Sequence, residues 1–463
     1  MERKNSKMNL QKINFKIYIF ILPFLLLPGL TEIKNMFSSS ASIENDFFLL
    51  VIGIILLLII NHGNIYYEYE SLYVRGMKVC FQLVAISLIT SLLFFIPFGT
   101  LYGENTITAS IPNDIYMIIT AATFYYNAQM FQLVSRKEIE KILDILCVVM
   151  IIVGYIQILC LYSSIIGGIY DKVDILGILI DSQQIQRWGR ICLVGSEPSA
   201  VGDILNILLC PYMLGQILYT SEKKYKWYWI LTMPIMYFTY SSTVYIGLVA
   251  NIIVFIIIYL RDSRDIRKIL HILLILILFC VILLWGGNYI LNNTEIGGQI
   301  KYYLFEKTTM NGNLSTEVRY SSVFTDIYVF FHYPISGVGN GNQGYFYNEV
   351  VRRFIKQSAL SYSELADRLS GAMGIVNGGA FVPAFVSGYG VLGVYLAIRF
   401  VKKCVDSIKN MPEIYGGFGY MYYIGGLTFL VLTTVSGGLD GNFLAIFVIS
   451  IPFMDKCIRE IGE

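Results

Sequence analysis

The chain is a succession of long apolar blocks separated by short polar segments. Residues 252–260 are almost entirely aliphatic, and residues 269–284 are apolar apart from His271. A helix needs roughly 20 apolar residues to cross a membrane, so this pattern predicts spanning helices rather than strands. About twelve spans are predicted, at residues 17–30, 47–60, 79–98, 111–134, 142–166, 201–219, 227–240, 244–260, 269–290, 373–399, 414–435 and 443–453.

The stretch from residue 227 to residue 260 is too long for one span. As a continuous helix it would measure ~51 Å at ~1.5 Å per residue. Its only polar interruption is Tyr-Ser-Ser-Thr at residues 240–243. We therefore expect a tight turn there between two antiparallel helices.

Composition agrees with this pattern. The chain is 56% hydrophobic and 14% charged, with a mean hydropathy of +0.62. A soluble domain would carry roughly 25% charged residues. The fold class predicted is an all-α polytopic bundle, a single integral membrane domain over residues 1–463. The net charge of +2 argues neither for nor against nucleic acid, but the charges lie in short clusters between apolar runs rather than on a basic face, so no nucleic-acid partner is expected. No His/Cys/Asp/Glu spacing suggests a metal site.

Lysines and arginines set the expected orientation. With twelve spans and a cytoplasmic amino terminus, the short inner segments hold most of the 34 basic residues. Because short cytoplasmic loops are enriched in Lys and Arg, we predict that both termini are cytoplasmic. Two long segments then face outward, at residues 167–200 and 291–372, and the second is too long for a plain connection.

The two outer segments carry the candidate binding residues. Arginine presents a planar fork of donors that matches phosphate oxygens, so arginines outside the membrane suggest a phosphate-bearing or acidic ligand. The simpler alternative is that they are solvated loop charges or bridge to nearby carboxylates. The arginines are Arg187, Arg190, Arg319, Arg352, Arg353 and Arg368.

Glu197 and Ser199 lie at the entrance to the predicted span at residues 201–219. The carboxylate of Glu197 has three possible roles: a general base, a partner of an arginine, or a first-turn residue favoured by the helix dipole. Ser199 is a candidate substrate contact, and capping of the helix is its simpler role.

A glycine-rich turn, P-I-S-G-V-G-N-G-N at residues 334–342, follows His332 in the second outer segment. Gly337 and Gly339 allow unusual backbone dihedrals, and a structural turn is the default interpretation. A nest of backbone donors for an oxyanion or a sugar hydroxyl is the more specific one. After it, residues 347–369 alternate apolar and charged positions at helical spacing, which predicts an amphipathic helix on the membrane face.

Several short motifs resemble those of bacterial O-antigen polymerases of the Wzy type. Residues 190–199 (R-I-C-L-V-G-S-E-P-S) are similar to the family's R-x-x-G-x-x-x-E-P-S pattern, with a slightly longer spacing from the arginine. Residues 317–319 (E-V-R), followed by 333–339 (Y-P-I-S-G-V-G), resemble the family's arginine and P-x-x-G-x-G turn. Residues 388–393 (G-Y-G-V-L-G) resemble its G-L-L-G element.

The resemblance implies a GT-C-like membrane protein of the bacterial cytoplasmic membrane that builds surface polysaccharide, as O-antigen of lipopolysaccharide or as capsule. It implies a metal-independent, inverting glycosyl transfer with no soluble cofactor. The partners would be an undecaprenyl-pyrophosphate-linked glycan donor and acceptor, membrane lipids, a chain-length regulator and a flippase. Arg190, Glu197 and Arg319 would be catalytic, with Arg187, Ser199, His332, Gly337, Gly339, Arg352, Arg353 and Arg368 as substrate contacts.

Two alternatives remain open. O-antigen ligases share this architecture, but they usually carry a histidine before the G-L-L-G element, and residues 376–381 (V-N-G-G-A-F) contain none. A lipid-linked oligosaccharide flippase belongs to another class. Transporters keep polar residues at the membrane midplane, whereas the polar residues of this chain concentrate in the outer loops. We therefore expect a polymerase.

Overall fold

The computed structural model describes residues 10–17, 47–60, 71–98, 100–101, 104–131, 134–163, 167, 189–193, 202, 205–262, 314–354, 369, 380–408 and 416–435. It contains a short helix at residues 10–17 and the helices α1 Phe47–Ile60, α2 Leu72–Phe98, α3 Thr106–Phe131, α4 Arg136–Tyr162, α5 Cys210–Tyr219, α6 Lys223–Phe238, α7 Ser242–Asp262, α8 Leu314–His332, α9 Tyr347–Phe354, α10 Phe381–Ile408 and α11 Gly417–Val435. A π-helical segment, Leu205–Leu209, leads into α5, and a 3-10 turn, Asn342–Phe346, precedes α9.

The described fold is all-helical, as predicted, apart from one short hairpin. Strands β1 Thr100–Leu101 and β2 Glu104–Asn105 pair antiparallel between α2 and α3. Four described helices are long and apolar enough to cross a membrane: Leu72–Phe94, Arg136–Tyr162, Ser242–Arg261 and Phe381–Asp406. The twelve-span count stays a prediction, because the spans predicted at 17–30 (all but residue 17), 269–290 and 443–453 lie outside the described residues.

The predicted turn between the helices of residues 227–260 is confirmed. Helix α6 ends at Phe238 and α7 begins at Ser242, with Tyr240 at a positive φ of 47° between them. The backbone N–H of Tyr240 donates to the carbonyl of Tyr237, which closes the turn. The chain thus turns between the end of α6 and the start of α7.

The largest core joins α2–α7 and α11. Helices α5 and α11 approach through glycines: a Cβ on Gly215 would lie 2.4 Å from the carbonyl oxygen of Gly417. Farther along α11, a Cβ on Gly425 would lie 2.5 Å from the carbonyl oxygen of Ile207. Small residues at both positions let the two backbones come into direct contact, as is common between membrane helices.

Buried polar side chains link the helices of this core. Asn251 on α7 donates to the backbone carbonyl of Asn206 at 2.9 Å and to that of Gly247 at 3.0 Å. The hydroxyl of Thr428 on α11 donates to the Asn251 amide oxygen at 3.2 Å. The expectation that polar residues concentrate in the outer loops therefore fails for these helices, which carry a hydrogen-bonded polar layer inside the bundle.

Candidate functional site

Helix α10 is broken at Gly390, where φ is 59° and ψ is −161°. A continuous helix would pair the N–H groups of Val391 and Leu392 with the carbonyls four residues earlier, at 387 and 388. Instead, these N–H groups donate to the carbonyls of Pro334 and Ile335, at 2.8 Å and 3.1 Å.

The carbonyls that the break leaves open are also used. The N–H of Val338 donates to the carbonyl of Ser387 at 3.1 Å, and the N–H of Gly339 donates to the carbonyl of Gly388 at 3.0 Å. Residues 334–339 therefore replace the missing turn of α10, and we call residues 334–339 with residues 387–392 the glycine clasp. Buried backbone groups require partners, and the clasp provides them at the break.

The clasp requires glycine at two of its positions. Gly337 has a φ of 66°, and a Cβ there would lie 2.4 Å from the carbonyl oxygen of Ser387. A Cβ on Gly390 would lie 2.5 Å from both the nitrogen of Gly337 and the carbonyl oxygen of Ile335. The two glycine-rich motifs, some fifty residues apart in sequence, thus meet in direct backbone contact. The N–H groups of Gly337 and Gly339 donate to the carbonyl oxygens of Tyr333 and Gly388. Because both donors are used within the protein, the structure favours the structural turn over a nest of donors for a ligand.

A buried polar cluster lies between the clasp and helices α2 and α3. The backbone N–H of Asn340 donates to the hydroxyl oxygen of Ser87 at 2.9 Å, and this hydroxyl donates to the carboxylate of Asp114 at 3.1 Å. The amide of Asn342 donates to the hydroxyl of Ser91 at 3.0 Å. These hydrogen bonds fix the clasp to the bundle through side chains that are shielded from solvent.

Asp326 on α8 fastens that helix to the break in α10. Its carboxylate accepts a hydrogen bond of 2.9 Å from the hydroxyl of Ser387, whose own carbonyl is one of the clasp acceptors. The side chain is 1% exposed, and burial raises the pKa of Asp326 from 3.8 to about 8. The neutral form of this carboxyl group is therefore favoured near neutral pH.

Helix α9 packs its apolar face on neighbouring parts of the protein. Val350 is buried in one cluster with Val329 and Val338, whereas Arg352 and Arg353 are exposed. The prediction of an amphipathic helix is confirmed over Tyr347–Phe354, whose apolar side packs on the clasp and α8. Its position on the membrane face stays a prediction.

The charged side of this region faces solvent. Arg353 pairs with Glu349 at 3.0 Å, and Glu349 also accepts a hydrogen bond from the hydroxyl of Tyr328 at 3.0 Å. His332 is exposed, and its Nδ1 lies 2.8 Å from the carbonyl oxygen of Tyr328. The side chains of Arg352 and His332 are thus accessible to an anionic ligand.

The stretch around Arg190 docks elsewhere in the bundle. Residues 191–193 are fully buried, and the N–H of Ile191 donates to the carbonyl of Phe238 at the end of α6. The side chain of Gln157 on α4 binds the backbone of Cys192 and Leu193. Arg190 itself is half-buried at the edge of this segment.

The predicted site residues are therefore only partly assembled. Gly337 and Gly339 belong to the clasp, with His332, Arg352 and Arg353 beside it. Residues 191–193, which follow Arg190, are held by α4 and α6, whereas the residues that follow segment 334–339 of the clasp are held by α2. Arg319 lies on α8, but its side chain is outside the description. The remaining predicted residues lie outside the described residues: Arg187, Glu197, Ser199 and Arg368.

Sequence reasoning missed several buried polar residues, notably Gln157, Asp114 and Asp326. The available signal was a carboxylate or an amide in or beside an apolar run, which in a membrane protein usually faces the protein interior. Among the described residues no group of three or more His, Cys, Asp or Glu side chains is arranged to hold a metal ion. The metal-independent reaction stays a prediction.

Neither a scan of the chain against protein-family models nor a search of curated proteins finds a match. The functional argument therefore rests on the residues, their contacts and the motif resemblance.

Proposed function

We propose that the chain is a membrane glycosyltransferase that polymerises undecaprenyl-pyrophosphate-linked repeat units into surface polysaccharide, O-antigen or capsule. The observation that carries this proposal is the glycine clasp. The P-x-x-G-x-G and G-Y-G-V-L-G elements, quoted separately for the resemblance, depend on one another for backbone hydrogen bonds. Two motifs that matched by chance would not be expected to form hydrogen bonds with each other in the folded protein.

In this proposal the chain crosses the bacterial cytoplasmic membrane about twelve times, with both termini in the cytoplasm. Its outer segments, 167–200 and 291–372, receive the lipid-linked substrates at the outer face. A flippase would supply the repeat units, and a chain-length regulator would set how many are joined. The described helices long enough to cross a membrane are compatible with this arrangement.

The chemistry proposed is displacement of a lipid pyrophosphate by a sugar hydroxyl. The bond between the anomeric carbon and the pyrophosphate oxygen breaks, and a bond from that carbon to the acceptor oxygen forms with inversion. Arg190 and Arg319 would stabilise the charge that develops on the departing pyrophosphate. Glu197 would accept the proton of the acceptor hydroxyl or hold an arginine in place. The donor is already activated, so no cofactor is required.

The exposed basic side chains beside the clasp add a second, weaker support. Arg352 and Arg353 on α9 and His332 at the end of α8 are exposed, outside the apolar cluster that covers the clasp. Arginine side chains in this position suit recognition of a phosphate-bearing carrier. We assign them to substrate binding rather than to the chemical step.

The test of this site is the glycan attached to its carrier in cells that produce only a variant chain. Arg190→Ala and Arg319→Ala should each leave single repeat units. Arg399→Ala is the matched control, because Arg399 is exposed on α10 and its described contacts are with Tyr395 on the same helix. It should give long chains. Long chains in both the Arg190 and Arg319 variants would overturn the site assignment.

A lipid-linked oligosaccharide flippase is a second candidate, and one observation favours it. Many transporters use helices broken within the membrane, and α10 is broken at Gly390 beside the buried carboxylates Asp114 and Asp326. A flippase defect would strand single repeat units on the inner leaflet, whereas a polymerase defect would leave them on the outer leaflet. The ligase alternative predicts long polymer on the lipid carrier instead.

A further inference from the structure

The segment that follows Arg190 is irregular in backbone yet fully buried. Ile191, Cys192 and Leu193 are each 0% exposed, and Leu193 adopts a left-handed φ of 49°. A buried segment without regular structure must find partners for each backbone N–H and C=O. These partners therefore determine where the segment, and Arg190 with it, is held.

One side chain supplies most of these partners. The amide oxygen of Gln157 accepts from the N–H of Cys192 at 3.2 Å and from the N–H of Leu193 at 2.9 Å. Its amide nitrogen donates to the carbonyl of Leu193 at 2.6 Å. Gln157 is 0% exposed on α4. Its buried carboxamide thus pairs with the backbone N–H and C=O groups of residues 192–193, as the backbone of a neighbouring strand would. A fourth hydrogen bond, from Ile191 to Phe238, holds the same segment from α6.

Arg190 lies at the end of this fixed segment. Gly189 before it is exposed and has a φ of 60°, with open space where a Cβ would be. Gly189 therefore has space around it, whereas residues 191–193 are held by buried hydrogen bonds. Arg190 is half-buried, and its backbone is held on the carboxyl side by the contacts of residues 191–193.

We infer that Gln157 is a positioning residue for Arg190: its carboxamide holds residues 191–193 so that the guanidinium of Arg190 reaches the departing pyrophosphate. This inference rests on the proposed function. Displacement of a reacting or stabilising group by about 1 Å can lower a rate roughly 100-fold. Gln157 touches no substrate, and its effect on the reaction passes through Arg190.

The experiment measures chain elongation by the full-length protein in proteoliposomes supplied with lipid-linked repeat units. Gln157→Leu removes these three hydrogen bonds, whereas Gln157→Glu keeps an acceptor oxygen for the two N–H groups and places a carboxyl oxygen against the Leu193 carbonyl. We expect kcat to fall about 10- to 100-fold in Gln157→Leu and less in Gln157→Glu, with KM little changed. Asn251→Leu is the control, because it also removes a buried amide of the core, and the described hydrogen bonds of that amide are with Asn206, Gly247 and Thr428.

A second background separates positioning from general stability. In Arg190→Lys protein, Gln157→Leu should cause little further loss of kcat, because the group that it positions is already altered. A purely structural role would give the same fold loss in both backgrounds, and would overturn the inference. If Gln157→Leu does not fold, Gln157→Glu in the two backgrounds makes the same comparison.

The outcomes distinguish this inference from the proposed function. Wild-type elongation by Arg190→Ala would overturn the assignment of Arg190 and the inference with it. Loss of elongation in Arg190→Ala, with Gln157→Leu no worse than Asn251→Leu, would leave the proposed function standing and overturn the role of Gln157 alone.

Discussion

Gly390 is the position at which a single methyl group should open the glycine clasp. Its backbone, at φ 59° and ψ −161°, is in a region that essentially only glycine occupies. An alanine Cβ would also lie 2.5 Å from the nitrogen of Gly337 and the carbonyl oxygen of Ile335. Both of these atoms are backbone atoms of a hydrogen-bonded segment, so neither can move away without breaking the clasp.

The magnitude follows from what the clasp holds. A residue forced into this backbone region costs about 1–3 kcal/mol, before the steric overlap is counted. Opening the clasp relieves the backbone strain and the steric overlap, but it breaks four hydrogen bonds of about 0.5–1.5 kcal/mol each, or about 2–6 kcal/mol together. We therefore expect Gly390→Ala to lower the opening free energy of the clasp by about 2–6 kcal/mol, up to the cost of these bonds.

Hydrogen–deuterium exchange of the purified protein measures that change directly. Since about 1.4 kcal/mol corresponds to a factor of ten, the amides of Val338 and Gly339 should exchange on the order of 30-fold faster or more. Gly167→Ala is the matched control, because a Cβ on Gly167 would meet nothing closer than 3.6 Å. Wild-type exchange across residues 333–341 in Gly390→Ala would refute the clasp.

Three further predictions concern stability and orientation. Asn251→Leu should lower the melting temperature in detergent, because it removes the interhelical hydrogen bonds of a buried amide and costs about 1–3 kcal/mol. Ile253→Val, on the exposed face of the same helix, should leave the melting temperature unchanged, and equal melting temperatures of the two variants would contradict this prediction. Burial raises the pKa of Asp326 to about 8, so between about pH 4 and pH 8 the folded chain binds a proton that the unfolded chain releases. The free energy of unfolding should therefore fall as pH rises from about 4 to 8. Asp326→Asn should make this fall smaller, and an unchanged slope would contradict the prediction. A cysteine that replaces the exposed Ile335 should react with a membrane-impermeant thiol reagent added outside the cell. A cysteine that replaces the exposed Lys402 should not react with it. Labelling of both cysteines from the same side would contradict the predicted orientation.

The helices were predictable because their signal is local. Apolar runs of spanning length led to Phe47–Ile60 at its observed bounds and to Ser242–Asp262 within two residues at each end. The start of Leu72–Phe98 and both ends of Phe381–Ile408 differ from the predicted spans by seven to nine residues, and Leu314–His332 was not predicted as a span. The turn between α6 and α7 followed from one polar interruption in a stretch too long for a single span. Hydrophobic patterning suffices where burial in lipid or core is the deciding force.

The clasp and the support of Arg190 were not predictable because both depend on distant partners. A glycine-rich turn gives no indication that its N–H groups complete a broken helix fifty residues later, at Ser387 and Gly388. Gln157 was one amide in an apolar run, and the backbone that it binds lies 36 residues beyond it. The amphipathic helix was predicted from its pattern, but the pattern does not distinguish a protein surface from a membrane.

The most direct test of the proposed function is the fate of lipid-linked glycan in cells that lack the chain. A repeat-unit polymerase predicts that single repeat units accumulate on undecaprenyl pyrophosphate at the outer leaflet, with no long polymer. Extraction of the carrier, sizing of its glycan and a test of its accessibility to an external glycosidase provide the measurement. Long polymer retained on the carrier, or single units confined to the inner leaflet, would contradict the account.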